Sequence, residues 1–152
     1  MTGPEHKIIH DSVHGSVKVS GVFLELLHRP ELQRLHGVKQ LGLAYLVFPG
    51  ANHTRFEHSL GTYYVAGLMC EALELSPEDR AQALAAALLH DLGHPPFSHT
   101  LEEVLENRFS MDHMELGAAL VRGQRSAVRD WEQEIIGCEG TIAELLERNG
   151  IP

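Results

Sequence analysis

The chain has 152 residues, 43% of them hydrophobic, and carries 21 acidic against 12 basic side chains for a formal charge of −9. That length buries one substantial core and is too short for two comfortable domains, and the acidic balance offers no basic stripe to track a nucleic-acid duplex. Cys70 and Cys138 lie outside any CxxC spacing, no apolar run could span a bilayer, and residues 1–7 lack the apolar stretch of a signal peptide, so a cytoplasmic chain without membrane attachment is expected.

The first twenty residues read as an irregular or short β segment, because Ser16-Val17-Lys18-Val19-Ser20 alternates between Gly15 and Gly21. Helical signals dominate beyond it. Pro30 can open a helix with Leu32, Leu35 and Val38 at helical spacing behind it, and Pro49-Gly50 marks a turn. A helix is expected over about 57–73, its apolar face formed by Leu60, Tyr64, Gly67 and Leu68, with glycine allowing close packing. Ser76-Pro77-Glu78-Asp79 combines a hydroxyl cap, a first-turn proline and acids that complement the positive helix end. The alanine-rich helix it opens should be buried and end at His90-Asp91, stopped by Gly93 and Pro95-Pro96. Residues 100–109 and 113–121 read as further helices. Thr141-Ile142-Ala143-Glu144 is a capping box, and Asn149-Gly150 ends the helix that it starts. The expected fold is all-α, a helical bundle with a short irregular or β N-terminal segment.

Chemistry concentrates where the alanine-rich helix ends. Imidazole and carboxylate together suit a borderline-to-hard divalent cation, and adjacent side chains at a frayed helix end can both turn toward one ion. His94 and His99 follow His90 directly, on either side of Pro95-Pro96, and form a histidine-lined wall. Arg55 and His58, three residues apart, share a face if that segment is helical, so an anion-binding group and a ligand point together. Plainer roles stay open: packing or capping for a single histidine, a helix cap for His99, and an ion pair with a carboxylate for Arg55.

Taken in order, Lys7-Ile8-Ile9-His10-Asp11, Gln33-Arg34-Leu35, Lys39-Gln40-Leu41-Gly42, Val47-Phe48-Pro49-Gly50-Ala51, the Arg55 to Gly61 block and the His90 to His99 block resemble the HD-domain phosphohydrolases. Among these they are most similar to deoxynucleoside-triphosphate triphosphohydrolases of the sterile-alpha-motif-and-HD-domain kind. The resemblance implies an HD-domain helical bundle in which His58, His90 and Asp91 hold a divalent metal, with positions left for water and a phosphate oxygen. Manganese, magnesium, iron, nickel, cobalt and zinc all suit such ligands. It further implies that His94 and His99 contact phosphates or protonate the leaving oxygen, with Glu102 and His113 as a supporting acid and second histidine. Arg55 becomes a phosphate clamp, and Gln40 and Leu41 approach the sugar, where an apolar and amide surface excludes a 2′-hydroxyl; as an ordinary helical segment, Lys39-Gln40-Leu41 would need no such role.

The activity implied is hydrolysis of deoxynucleoside triphosphates to deoxynucleoside and inorganic triphosphate. Water activated by the ion attacks the α-phosphorus, and His99 protonates the departing 5′-oxygen. Partners implied are a deoxynucleotide substrate and further copies of the chain in a homo-oligomer. Guanine-nucleotide activation is not expected, because His28 stands where an acid is usual and His36 where an arginine is. The family pattern also holds a downstream aspartate as fourth ligand. Neither Asp112 nor Asp130 has the right context, so residues 1–152 are expected to be a single HD domain lacking the C-terminal part of the family domain. Two alternatives stand beside the main reading: an HD hydrolase of nucleoside monophosphates or of a nucleotide second messenger, and a non-catalytic nucleotide-binding regulatory fragment.

Overall fold

Alternating Val17, Lys18 and Val19 build the second strand of an antiparallel hairpin, β1 (His6–Asp11) with β2 (Gly15–Ser20), in which both valines are buried and Lys18 is exposed. The computed structural model describes residues 6–97, 112–124 and 140–152. The register runs from His6 opposite Ser20 to Asp11 opposite Gly15. Asp11 Oδ1 pins the turn by accepting from the Val13 and His14 amides at 2.9 and 2.7 Å. Sequence alternation had pointed to β2 alone; β1 is mostly exposed and therefore carries no inside–outside alternation to read.

The remaining regular structure is predominantly helical. α1 (Val22–His28) buries Leu26 and Leu27. Pro30 does stand at the first position of α2 (Pro30–Gln33), but this is one turn, and a 3-10 turn, Arg34–Gly37, continues the chain with Leu35 buried. Two long helices follow, α3 (Arg55–Ala72) and α4 (Pro77–Leu89), joined by only four residues and packed together as an antiparallel pair. Thr54 caps α3 through a capping box with Glu57, starting it two residues earlier than the expected 57, and Ser76 caps α4 as expected.

On α3, Leu60 is buried, and a methyl on Gly67 would lie 3.7 Å from Leu84 of α4, consistent with close packing at that glycine. Leu68 departs from the expected face, being 49% exposed although its neighbour Gly67 packs toward Leu84 of α4. α4 buries Leu84, Ala85 and Leu88 while Ala86 remains exposed, so its alanine-rich segment is buried on one side.

α5 (His113–Val121) matches the expected bounds, and Asp112 is its exposed N-cap, paired with Glu115 in a capping box. α6 (Ile142–Arg148) starts at the Thr141 capping box, and Gly150 behind it has φ of 71°. Leu26, Leu32, Leu35, Leu60, Leu88, Leu92, Leu120 and Ile142 share one core. The helix expected over 100–109 lies outside the described residues. Among those described, no helix is long and apolar enough to cross a membrane.

Candidate metal centre

The antiparallel pairing of α3 and α4 brings the start of one helix to the end of the other. His58, in the first turn of α3, therefore meets His90, the residue that follows α4. Their Nε2 atoms are 3.2 Å apart, and Asp91 supplies Oδ1 at 3.2 Å from His90 Nε2 and Oδ2 at 3.8 Å from His58 Nε2. One ligand atom from each of the three lies within 4.8 Å of the others. Bonds of about 2.1 Å to one ion would put neighbouring donors about 3 Å apart, so the spacing suits a shared cation.

A proton assignment supports the fit. His90 Nδ1 stands 2.9 Å from the Ala87 carbonyl, which can only accept, so Nδ1 carries a proton and Nε2, on the side of His58, is the nitrogen that a metal would take. Burial lowers the His58 pKa; Asp91 opposes that shift, while His90, Arg55 and His53 add to it. Proton competition for this ligand is thereby reduced. Side-chain exposures of 41% for His58 and 34% for His90 leave the group open on one side, whereas Asp91 is at 7%.

Asp91 is the electrostatic hub. Its Oδ2 accepts from Arg55 Nη1 at 2.6 Å, and Oδ1 faces His94 Nε2 at 3.4 Å. Burial by itself raises the Asp91 pKa, but the contact with His94 and the charges of His90 and Arg55 outweigh it and hold the carboxyl well below the usual carboxylate range. Arg55 is 1% exposed, so the residue that resemblance assigned to phosphate is engaged with a candidate metal ligand.

His94 is buried and stacks on His113, with ring centroids 4.0 Å apart and planes 14° from parallel. Beside the stack lies a backbone contact that the sequence did not reveal. A Cβ on Gly93 would fall 1.9 Å from the His113 carbonyl oxygen and 2.5 Å from the Gly117 amide nitrogen, so α5 lies directly on Gly93. The legible signal was glycine in the segment; what occupied its missing side chain was not.

Gln40 donates its backbone N–H to the His53 carbonyl at 3.1 Å, beside an antiparallel bridge of Lys39 with Thr54, while the Arg55 amide donates to Val38. The Lys39-Gln40 segment therefore runs along the entry to α3, not in a helix. Gln40 Oε1 is buried without a hydrogen-bond partner among the described residues, and Leu41 is 47% exposed. His99 and Glu102 lie outside the described residues. A cleft of about 650 Å³ opens beside His58, lined by Asp11, His14, His53, Val65 and Met69 among others. His14 had no assigned role because its place beside His58 arises only from folding, and His53, close to His58 in sequence, had none either.

Comparison with known proteins identifies the family. The HD-domain family model matches residues 55–147. The uncharacterized protein YwfO of Bacillus subtilis is 37% identical over 150 residues, covering 95% of this chain and 34% of that protein. Deoxynucleoside triphosphate triphosphohydrolase SAMHD1 of Homo sapiens is 44% identical over 103 residues, covering 63% of this chain and 16% of the human protein. The crystal structure of a phosphohydrolase from Bacteroides thetaiotaomicron superposes with a TM-score of 0.69 at 32% identity, covering 94% of this chain and 34% of that one. The chain thus spans about a third or less of the relatives compared.

Proposed function

Since this chain belongs to the HD-domain family, we propose that it serves a metal-dependent phosphohydrolase acting on deoxynucleoside triphosphates and releasing deoxynucleoside and inorganic triphosphate. The observation that carries the metal-dependent part is the convergence of His58 Nε2, His90 Nε2 and an Asp91 oxygen within 4.8 Å. The triphosphate substrate is supported by similarity to SAMHD1 over 103 residues.

In this reading His58, His90 and Asp91 hold the cation. When bound, a divalent ion supplies Lewis-acid polarisation of a phosphoryl oxygen and acidifies a water. The chain's own groups do the rest. Arg55 fixes the Asp91 carboxylate and brings positive charge to the centre. Buried His94 and the partly exposed His113 stacked on it form an aromatic wall beside Asp91, against which a polyphosphate is positioned. His99 protonates the 5′-oxygen with Glu102 in support, and Gln40 and Leu41 meet the deoxyribose; these four assignments rest on the family resemblance. Manganese, magnesium, iron, nickel, cobalt and zinc all remain compatible with a mixed imidazole and carboxylate set.

The test incubates purified protein with each deoxynucleoside triphosphate and Mn²⁺ or Mg²⁺, with product separation by ion exchange and a His90→Ala, Asp91→Ala double variant alongside. Inorganic triphosphate with deoxynucleoside, absent from the variant, is the expected result. Orthophosphate or pyrophosphate would replace the proposed cleavage with another HD-type hydrolysis. Metal-dependent nucleotide binding without product would replace it with a regulatory role.

A further inference from the structure

α4 ends at Leu89, and the chain then turns so that the Leu92 amide donates to Leu89 at 3.0 Å and the His94 amide to Asp91 at 3.1 Å. These bonds use the amides of the turn. Pro95 and Pro96 have no N–H to donate back to the Leu92 carbonyl, and among the described residues no later amide donates to either the Leu92 or the His94 carbonyl, so both call for partners from elsewhere. Arg34 provides both. From the 3-10 turn far upstream, its Nη1 donates to the His94 carbonyl at 3.1 Å and its Nη2 donates to the Leu92 carbonyl. The two acceptors flank Gly93, where the backbone of α5 presses on the chain.

A guanidinium is planar and presents its N–H groups at fixed angles, so two carbonyls bound to one fork are fixed relative to each other. An ammonium on a flexible stem imposes no such relation. Both acceptors belong to the segment that carries His90, Asp91 and His94, and the His94 ring stands 3.4 Å from Asp91 and stacks on His113.

We propose that Arg34 is a positioning residue of the hydrolytic site, its fork onto the Leu92 and His94 carbonyls setting the backbone from which the His94 imidazole reaches Asp91 and His113. The proposal rests on the functional reading above insofar as His94 faces the substrate. Arg34 spends both Nη groups on backbone carbonyls and is not among the residues that converge on the candidate metal position. Its loss therefore acts on turnover through the placement of His94, while the three metal-binding side chains keep supports of their own: His58 on α3, His90 through Nδ1 to the Ala87 carbonyl, and Asp91 through Arg55. A displacement on the order of 1 Å in such a group costs on the order of 100-fold in rate.

The experiment compares wild type, Arg34→Lys and Arg34→Met in Mn²⁺ titration followed by electron paramagnetic resonance, steady-state hydrolysis of a deoxynucleoside triphosphate, and NMR of the His94 and His113 rings. Expected for Arg34→Met are unchanged Mn²⁺ affinity, KM within about threefold of wild type, kcat lower by about 10-fold to 100-fold, and loss of the ring-current shifts from the stack. Arg34→Lys should fall between the two. Wild-type kcat and wild-type imidazole resonances in both variants overturn the proposal. So does a parallel loss of Mn²⁺ binding and kcat in both, which marks general disruption of the fold. If wild type hydrolyses nothing, the functional reading fails separately, and Arg34 is still decided: displaced His94 resonances at unchanged Mn²⁺ affinity support the tether, and unmoved resonances overturn it.

Discussion

Arg55 Nη1 donates to Asp91 Oδ2 across 2.6 Å, with the arginine side chain 1% and the aspartate 7% exposed. Charges so far from water are tolerated because each neutralises the other, and removing one leaves the other stranded. Arg55→Met should lower unfolding free energy by about 3–5 kcal/mol in urea titrations of metal-free protein, and adding Asp91→Asn should recover part of that loss. A single-variant loss below about 1 kcal/mol, the scale of an exposed ion pair, would remove the pair from the structural role assigned to it.

The same carboxylate sets an acid limit. Burial raises the Asp91 pKa, yet His94, His90 and Arg55 together hold it lowered in the folded chain. A depressed folded pKa gives stabilisation that is fully present above the unfolded value, about 3.9, and is lost as pH falls through the folded value. Metal-free wild type should therefore lose stability below about pH 4 more steeply than Asp91→Asn. Urea midpoints collected from neutral pH downward check this, and parallel profiles for the two proteins would count against it.

Local signals were legible where a side chain acts on its own backbone. Ser76 and Thr141 cap helices as their spacing with Asp79 and Glu144 predicts, and Pro30 does begin a helical turn. The candidate metal group of His58, His90 and Asp91 was legible through resemblance, because its three residues sit in motif blocks whose order is distinctive. Relations across the chain were not. The engagement of Arg55 with Asp91, the stacking of His113 on His94 and the reach of Arg34 to two carbonyls each depend on where α3, α4 and α5 cross, which no spacing in the sequence encodes. Leu68 was misjudged for a related reason: helical periodicity identifies an apolar stripe but not how much of its width a neighbour will cover.

If His58, His90 and Asp91 share a cation, the ion binds the folded chain and must stabilise it. At free Mn²⁺ about 100-fold above its dissociation constant, the gain should be about 2.7 kcal/mol, read as a rise in the thermal midpoint that a chelator reverses. His58→Ala should abolish most of that rise without loss of the fold, because its side chain is 41% exposed and its removal leaves little empty core. An equal Mn²⁺-dependent rise in the variant would move the ion elsewhere.

Gly93 is where the site and the scaffold constrain one another most tightly. A Cβ there would meet the His113 carbonyl oxygen at 1.9 Å, the Gly117 amide nitrogen at 2.5 Å and the His113 carbonyl carbon at 2.9 Å. All three are backbone atoms of α5, so no rotamer change can relieve the overlap, and the helix must move away. Gly93→Ala should destabilise the chain by about 1–3 kcal/mol or more, as overpacking does, whereas Gly67→Ala, whose Cβ would meet only Leu84 and the end of Arg80 at ordinary contact distances, should cost no more than about 1 kcal/mol. Because α5 carries His113, Gly93→Ala should also separate the His94 and His113 rings and erase their mutual ring-current shifts in NMR spectra. A Gly93→Ala protein as stable as wild type, with those shifts intact, would show that α5 does not rest on the turn that carries the site.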